Sequence, residues 1–134
     1  MDEQYLEEGD LIKPSNRGSG YYDTFRGRLM FPIFNPTGKV IAFAGRVLGQ
    51  EKTAKYINSS QTKVYNKSEV VYGVNFAKNE IRKHKEVILV EGYTDVITLM
   101  EHQIGNVVAS QWNIAYSGTN EDPSSLWRAH CDDL

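Results

Sequence analysis

The sequence is poor in cysteine, because among its 134 residues only Cys131 carries a thiol. One cysteine excludes both a disulfide framework and a cysteine-rich zinc site. The three histidines, His84, His102 and His130, show no ligand spacing and are interpreted as surface residues. No apolar run is long enough to cross a membrane, and no charged-then-apolar leader opens the chain. We therefore expect a cytoplasmic protein with no membrane partner and no zinc.

The net charge of −2 is small, but the charges are segregated along the chain. The first ten residues carry five acids and no base, whereas the stretch from Arg26 to Lys67 carries eight basic residues and one acid, Glu51. Such asymmetry indicates an anion-binding face. Three tyrosines lie among the lysines, and rings beside cations are typical of surfaces that bind single-stranded nucleic acid. The alternative is that these rings pack at a sheet margin while the lysines keep edge strands soluble. The tyrosines are Tyr56, Tyr65 and Tyr72.

A strand, a helix and a second strand are predicted towards the end of the chain. The apolar run Val87–Val90 predicts a strand buried on both faces, and Val107–Ala109 predicts another after a helical pattern over 96–104. This is a βαβ unit. Ligands of open α/β sheets bind beyond the carboxyl ends of the strands, where Glu91 follows Val90 and Asp95 begins the helix. Two such carboxylates suit a divalent metal, unless Glu91 is merely exposed at a strand end.

Two strands are also predicted within the basic stretch. Arg28–Phe34 and Lys39–Val47 alternate as strands do, and the four residues between them suit a tight turn. Ala42, Ala44 and Arg46 share one face of the second strand, and we expect the two alanines to leave room for a bulky partner. Arg46 would then hold phosphate through its planar fork. The alternative is an arginine paired with a carboxylate across the sheet.

Several separate motifs, in the same order, resemble the catalytic core of bacterial DnaG-type DNA primases, and Leu89–Asp95 resembles the opening of their Toprim fold. The matching stretches are Phe25–Ile33, Gly38–Gly49, Lys55–Ser59, Tyr65–Lys67, Val71–Gly73 and Val90–Val96. The resemblance covers about two thirds of the chain. It implies an α/β fold, in which an α+β basic subdomain is followed by the first βαβ part of a Toprim fold.

The resemblance also implies an organisation in four parts. These are an acidic N-terminal segment at residues 1–20, a basic primase-core subdomain at 21–85, a partial Toprim βαβ unit at 86–110 and an unrecognised tail at 111–134. After Ser110 the family pattern is lost. Gly118-Thr119 is displaced, and Asp132-Asp133 is adjacent where the family has an Asp-x-Asp pair. The chain is therefore expected to be truncated or altered after Ser110.

The resemblance implies a nucleotidyltransferase of DNA replication. The chain would be part of a replicative DNA primase of the primosome, a DNA-directed RNA polymerase that makes short RNA primers on single-stranded DNA from nucleoside triphosphates. A replicative helicase would bind through regions absent here. Glu91 and Asp95 would be catalytic, with Glu91 a ligand of Mg²⁺ or Mn²⁺ in a site that is incomplete in this chain, so independent activity is doubtful. The residues implied in nucleic-acid or nucleotide binding are Arg46, Lys55, Tyr56, Asn58 and Lys67.

Two alternatives remain open at this point. The first is a non-catalytic fragment that binds single-stranded nucleic acid but lacks a complete metal site. The second is another Toprim protein, such as a phage primase-helicase. The stretches Gly45-Arg46-Val47 and Lys55-Tyr56 favour a primase over that second alternative.

Overall fold

The computed structural model describes residues 2–49 and 53–110. Strands and short helices both occur in this part of the chain, with six strands in succession after the first helix and an alternation of strands and helices only towards its end, which confirms the predicted α/β class. The elements in order are α1 (Glu3–Glu8), β1 (Ile12–Pro14), β2 (Tyr21–Asp23), β3 (Arg28–Phe34), β4 (Val40–Val47), β5 (Tyr56–Asn58), β6 (Val71–Tyr72), α2 (Val74–His84), β7 (Ile88–Val90), α3 (Tyr93–Glu101) and β8 (Val107–Ser110). No helix within the described ranges is both long and apolar enough to cross a membrane.

The described residues form two compact units. The first comprises the chain up to residue 35 together with residues 39–70, and the second comprises residues 36–38 and 71–110. The division therefore lies between Val70 and Val71. The boundaries predicted at residues 20 and 85 were drawn from composition and from the family resemblance, and they stay predictions.

The first unit is built on a three-stranded antiparallel sheet in the order β3-β4-β5. The predicted hairpin of β3 and β4 is confirmed, and its turn is closed by hydrogen bonds from Lys39 N to Asn35 Oδ1 and from Asn35 N to Lys39 O, both 2.9 Å. Gly38 has a φ of +85° in this turn, a backbone conformation that favours glycine. Pro32 lies on β3, an edge strand of this sheet, where its missing N–H breaks no ladder.

One face of this sheet carries the core of the first unit. Phe31 pairs with Ala44 and Ile33 with Ala42, and all four are at most 4% exposed. The expectation that the two alanines leave room for a bulky partner is therefore wrong, because other side chains already cover them. Small residues at these positions let the sheet be packed closely instead.

The acidic N-terminal segment is tied to the first unit through Asp10. This carboxylate is only 8% exposed, accepts a hydrogen bond from Ser60 N at 2.7 Å and pairs with Lys13 at 3.4 Å. Asp10 also has a φ of +58°, which Asp tolerates better than most residues. The contact joins the start of the chain to the residues that follow β5.

The second unit contains the predicted βαβ crossover. Strands β7 and β8 pair in parallel with α3 between them, as the sequence predicts. β6 pairs antiparallel with β8 on its other side, so the sheet has the order β6-β8-β7. Ala77 and Ile81 of α2 pack with Val108 of β8 to form a buried cluster.

Strand β7 is less buried than its sequence indicates. Ile88 and Leu89 are each 38% exposed, whereas Val107 and Val108 of the neighbouring β8 are almost fully buried. The prediction of a strand buried on both faces is wrong for β7, because β7 lies at the edge of the sheet as the described residues form it. The buried strand of this sheet is β8, its central strand.

Candidate functional site

Four side chains of the first unit lie on one sheet face, three of them at its end and the fourth, Asn58, opposite Ala44, and we call them the Arg46 face. Arg46 pairs with Leu29 of β3 and with Tyr56 of β5, and Asn58 lies two residues further along β5. Directly paired residues project to the same side of a sheet, and alternate residues do so as well. This end is more open than the core end, since Leu29 is 48% exposed and the other three residues are partly buried.

The Arg46 guanidinium lies over an aromatic ring. Its central carbon is 5.6 Å from the centroid of the Tyr56 ring, a cation–π geometry. The Tyr56 ring also lies 6.4 Å from the ring of Phe31, which connects it to the buried core. No ion pair joins Arg46 to a carboxylate within the described residues. The alternative of an arginine neutralised across the sheet is therefore absent there.

Lys55 and Lys67 are placed differently from these four residues. Lys55 is exposed immediately before β5, and its carbonyl accepts a hydrogen bond from Val47 N at 3.0 Å. Lys67 is half-buried in a turn in which Asn66 Oδ1 accepts hydrogen bonds from the Ser68 backbone at 3.2 Å and hydroxyl at 2.7 Å. Lys55 thus directly precedes Tyr56 in the chain, and Lys67 lies on a turn of its own.

Two of the three tyrosines expected among the lysines are core residues. Tyr65 is 1% exposed, so its ring cannot stack on a base. Tyr72 is 8% exposed and meets Tyr93 edge to face, with ring centroids 4.7 Å apart. Burial raises the pKa of the Tyr72 hydroxyl above its ordinary value. These two rings are packed, as in the alternative, but in the core and not at a sheet margin, and only Tyr56 remains on the Arg46 face.

Sequence reasoning missed two residues of this region, Leu29 and Arg28. The signal for Leu29 was its place two residues before Phe31, which puts both on the same side of β3. Arg28 was counted only as one basic residue among eight, although its guanidinium bonds to the backbone of β4 and of the segment before β5. No local pattern in the sequence indicates that contact.

The two candidate catalytic carboxylates lie at the start of α3, in the second unit. Glu91 follows β7 and is exposed, and Asp95 is exposed in the first turn of the helix. A Cβ built on Gly92 would lie 2.9 Å from Asp95 Oδ2, so a side chain at position 92 would push this carboxylate away. The helix dipole favours a negative charge in the first turn. We call these two residues the Glu91 pair.

The Glu91 pair has the oxygen atoms that magnesium prefers, but it supplies only two carboxylates. Oxygen ligands suit Mg²⁺, and one or two carboxylates are usual when a phosphate supplies others. Within residues 2–49 and 53–110, however, no group of three or more His, Cys, Asp or Glu side chains could hold a metal ion. The described residues therefore supply two carboxylates here and no third ligand of this kind. Asp132 and Asp133, which are adjacent where the family has an Asp-x-Asp pair, lie outside the described residues.

Comparison with known proteins identifies the family. The family model for the DNA primase catalytic core, N-terminal domain, matches residues 1–78, which is more than half of the chain. The chain belongs to this family. The resemblance found in the sequence motifs is thereby confirmed.

Individual primases agree with this assignment. The DNA primase of Synechocystis sp. is 49% identical over 105 residues, which cover 78% of this chain and 16% of that protein. A crystal structure of the RNA polymerase domain of Mycobacterium tuberculosis primase DnaG, in complex with a double-stranded DNA oligomer with a 6-nucleotide overhang, has a TM-score of 0.81 at 33% identity. That match covers 99% of this chain and 40% of the other.

A second structural relative was solved with a single strand. It is a DnaG primase catalytic domain bound to single-stranded DNA, and it matches with a TM-score of 0.74 at 38% identity, over 83% of this chain and 34% of that one. This primase-family chain spans less than a quarter of the length of the DNA primase of Synechocystis sp..

Proposed function

We propose that this chain forms part of a replicative DNA primase, a DNA-directed RNA polymerase that synthesises short RNA primers on single-stranded DNA. In this proposal the Arg46 face holds the template strand. The observation that carries it is the Arg46 guanidinium over the Tyr56 ring on an open sheet end. An arginine in this position offers N–H donors to a phosphate, and the ring beside it supports stacking. The relative solved with single-stranded DNA supports the binding of single strands, without indicating which face binds them.

The remaining parts of the proposal follow from the family resemblance. Lys55 and Lys67 add positive charge for template or nucleoside triphosphate, and Asn58 supports the Arg46 face. The Glu91 pair contributes to nucleotidyl transfer, with Glu91 as a ligand of Mg²⁺ or Mn²⁺ when further ligands are supplied. A helicase partner through regions outside this chain and a cytoplasmic location belong to the same proposal.

A non-catalytic role in binding single strands is the second candidate function. It is favoured by one observation, namely that the described residues supply two carboxylates but no third ligand for a metal. Both candidates require the Arg46 face to bind single strands. They differ in whether the 134-residue chain extends a primer in the presence of Mg²⁺ and nucleoside triphosphates, so a primer-synthesis assay separates them.

The binding step is tested by fluorescence anisotropy with a labelled single-stranded oligonucleotide over a series of salt concentrations. Arg46→Glu should weaken binding and reduce the slope of log K against log salt by about 0.7 or more, since each lost phosphate contact on a single strand removes that amount. Lys83→Glu is the matched control. It changes the net charge equally on α2, where Lys83 pairs with Glu80 at 3.3 Å.

The expected result for the Lys83 control is a nearly unchanged affinity. Equal losses from both charge reversals would show that only net charge matters and would remove the case for a dedicated face. A wild-type chain with no measurable affinity for single strands would overturn the proposal.

A further inference from the structure

Arg28 bonds to the backbone through its guanidinium. Its Nη1 atom donates to Gly45 O at 3.3 Å and to Ala54 O at 2.8 Å, and Nη2 reaches Thr53 Oγ1 at 3.5 Å. Both N–H groups of Nη1 are therefore in use. Hydrogen bonds from an ionised donor are stronger than those between neutral groups. Arg28 thus holds residues 53–54, the segment that leads into β5, against β4.

The register of the sheet separates Arg28 from the Arg46 face. Arg28 pairs with Val47, whereas the next residue of β3, Leu29, pairs with Arg46. Successive side chains of a strand project to opposite faces, so Arg28 leaves β3 on the reverse side from Arg46 and Tyr56. A strand lying on the Arg46 face would not meet this guanidinium directly.

Gly45 is required by the close approach of two side chains, Phe25 and Arg28. A Cβ built at position 45 would lie 2.8 Å from Phe25 Cδ1 and 3.0 Å from Arg28 Cδ. Both distances are shorter than normal contacts of a Cβ atom, so any side chain there would displace Phe25 or Arg28. Gly45 therefore offers a way to disturb Arg28 without changing its charge.

We propose that Arg28 is a positioning residue for the Arg46 face. It fixes residues 53–54 and thereby places Lys55 and Tyr56, and it does not itself contact the nucleic acid. This inference rests on the proposed binding of single strands by the Arg46 face. Its consequence is that positive charge at position 28 is not sufficient, because a lysine cannot reproduce the planar fork that serves two carbonyls and a hydroxyl.

The positioning role is tested first without nucleic acid, by amide hydrogen exchange in the Arg28→Lys variant. The Val47 amide, which donates to Lys55 O at 3.0 Å, should exchange at least about fivefold faster, because local opening of this end becomes easier. The Ser59 amide, which donates to Phe43 O at 2.8 Å beyond the other end of β5, should keep its rate. Arg82→Lys, at an exposed position on α2, is the matched control and should change neither. An unchanged rate at Val47 would overturn the proposal.

The effect on binding is tested with Arg28→Lys, Lys55→Ala and the double variant by the same anisotropy assay. Arg28→Lys should weaken single-strand binding about three- to tenfold although the charge is kept. Lys55→Ala should cost less in the Arg28→Lys background than in the wild type, because the two changes act on one segment. Unchanged affinity of Arg28→Lys, or fully additive losses, would mean that Arg28 does not act through Lys55.

Gly45→Ala is a second variant that tests the same proposal. If Arg28→Lys fails to fold, both the hydrogen exchange at Val47 and the single-strand affinity are measured on Gly45→Ala instead. It should reproduce the faster exchange at Val47 and the weaker binding with the arginine intact. The two proposals fail in different ways. Absence of wild-type binding to single strands would overturn the proposed function, whereas an unchanged exchange rate at Val47 would overturn the positioning role whatever the wild-type affinity.

Discussion

Replacing Gly73 with alanine should destabilise the second unit by about 2–4 kcal/mol. Gly73 has a φ of +86° at the junction of β6 and α2, and a left-handed conformation costs a residue with a Cβ about 1–2 kcal/mol. The added Cβ would also lie 3.1 Å from Val96 Cγ1, and Val96 is only 1% exposed and has little room to move. Overpacking of this kind costs roughly 1–3 kcal/mol. The lower entropy of the unfolded alanine chain offsets about 0.4–1 kcal/mol.

The matched control is Gly38→Ala, in the turn between β3 and β4. Gly38 has nearly the same φ, +85°, but a Cβ there would meet no atom within 4 Å. The control therefore carries the backbone cost without the collision and should lose only about 1 kcal/mol. Urea unfolding followed by circular dichroism should give a midpoint lower by roughly 1–2 M for Gly73→Ala, given the usual slopes for small proteins. A loss at Gly73 no larger than that at Gly38 would refute the contact with Val96.

Three further outcomes are expected. Because the pKa of Tyr72 is raised in the folded chain, the unfolded chain loses that proton first above pH 10, and the free energy of unfolding should fall from there with rising pH. Tyr72→Phe should reduce that fall in urea titrations between pH 9 and 11. Glu91→Gln should abolish primer synthesis in any longer form that makes primers but leave single-strand affinity within about twofold, because the amide keeps the shape and loses the charge. Asp95→Asn should reduce primer synthesis less. Calorimetry should show Mg²⁺ binding to the 134-residue chain only at millimolar levels or weaker, and micromolar binding would mean that the tail supplies ligands.

The parts of the fold that could be predicted are those with a long local pattern. β3 and β4 alternate over seven and eight residues around a turn with proline and glycine, and α3 and β8 follow an apolar period. β5 and β6 have only three and two residues, too few for a local pattern to predict them. Such short strands exist because a longer neighbour pairs with them, and strand propensity alone does not encode that pairing.

The same limit applies to the candidate site. Arg46 and Tyr56 were each predicted from separate motifs, but their contact depends on the register that sets Arg46 opposite Tyr56. A shift of one residue would move Tyr56 to the other face. The roles of Tyr65 and Arg28 depend on burial and on bonds to distant carbonyls. Neither is visible in spacing, and for that reason a buried tyrosine was grouped with surface rings.

The buried carboxylate of Asp10 has a consequence for how the chain can be shortened or exchanged. By charge, the first ten residues form a separate acidic segment, yet one of those acids accepts a hydrogen bond from the residue two places after Asn58. A version beginning after residue 20 would leave the Ser60 amide without its acceptor beside the end of β5. Exchanging the first twenty residues for another segment would keep this hydrogen bond only if a side-chain acceptor remained at position 10. The acidic segment is thus a part of the frame that supports the basic surface.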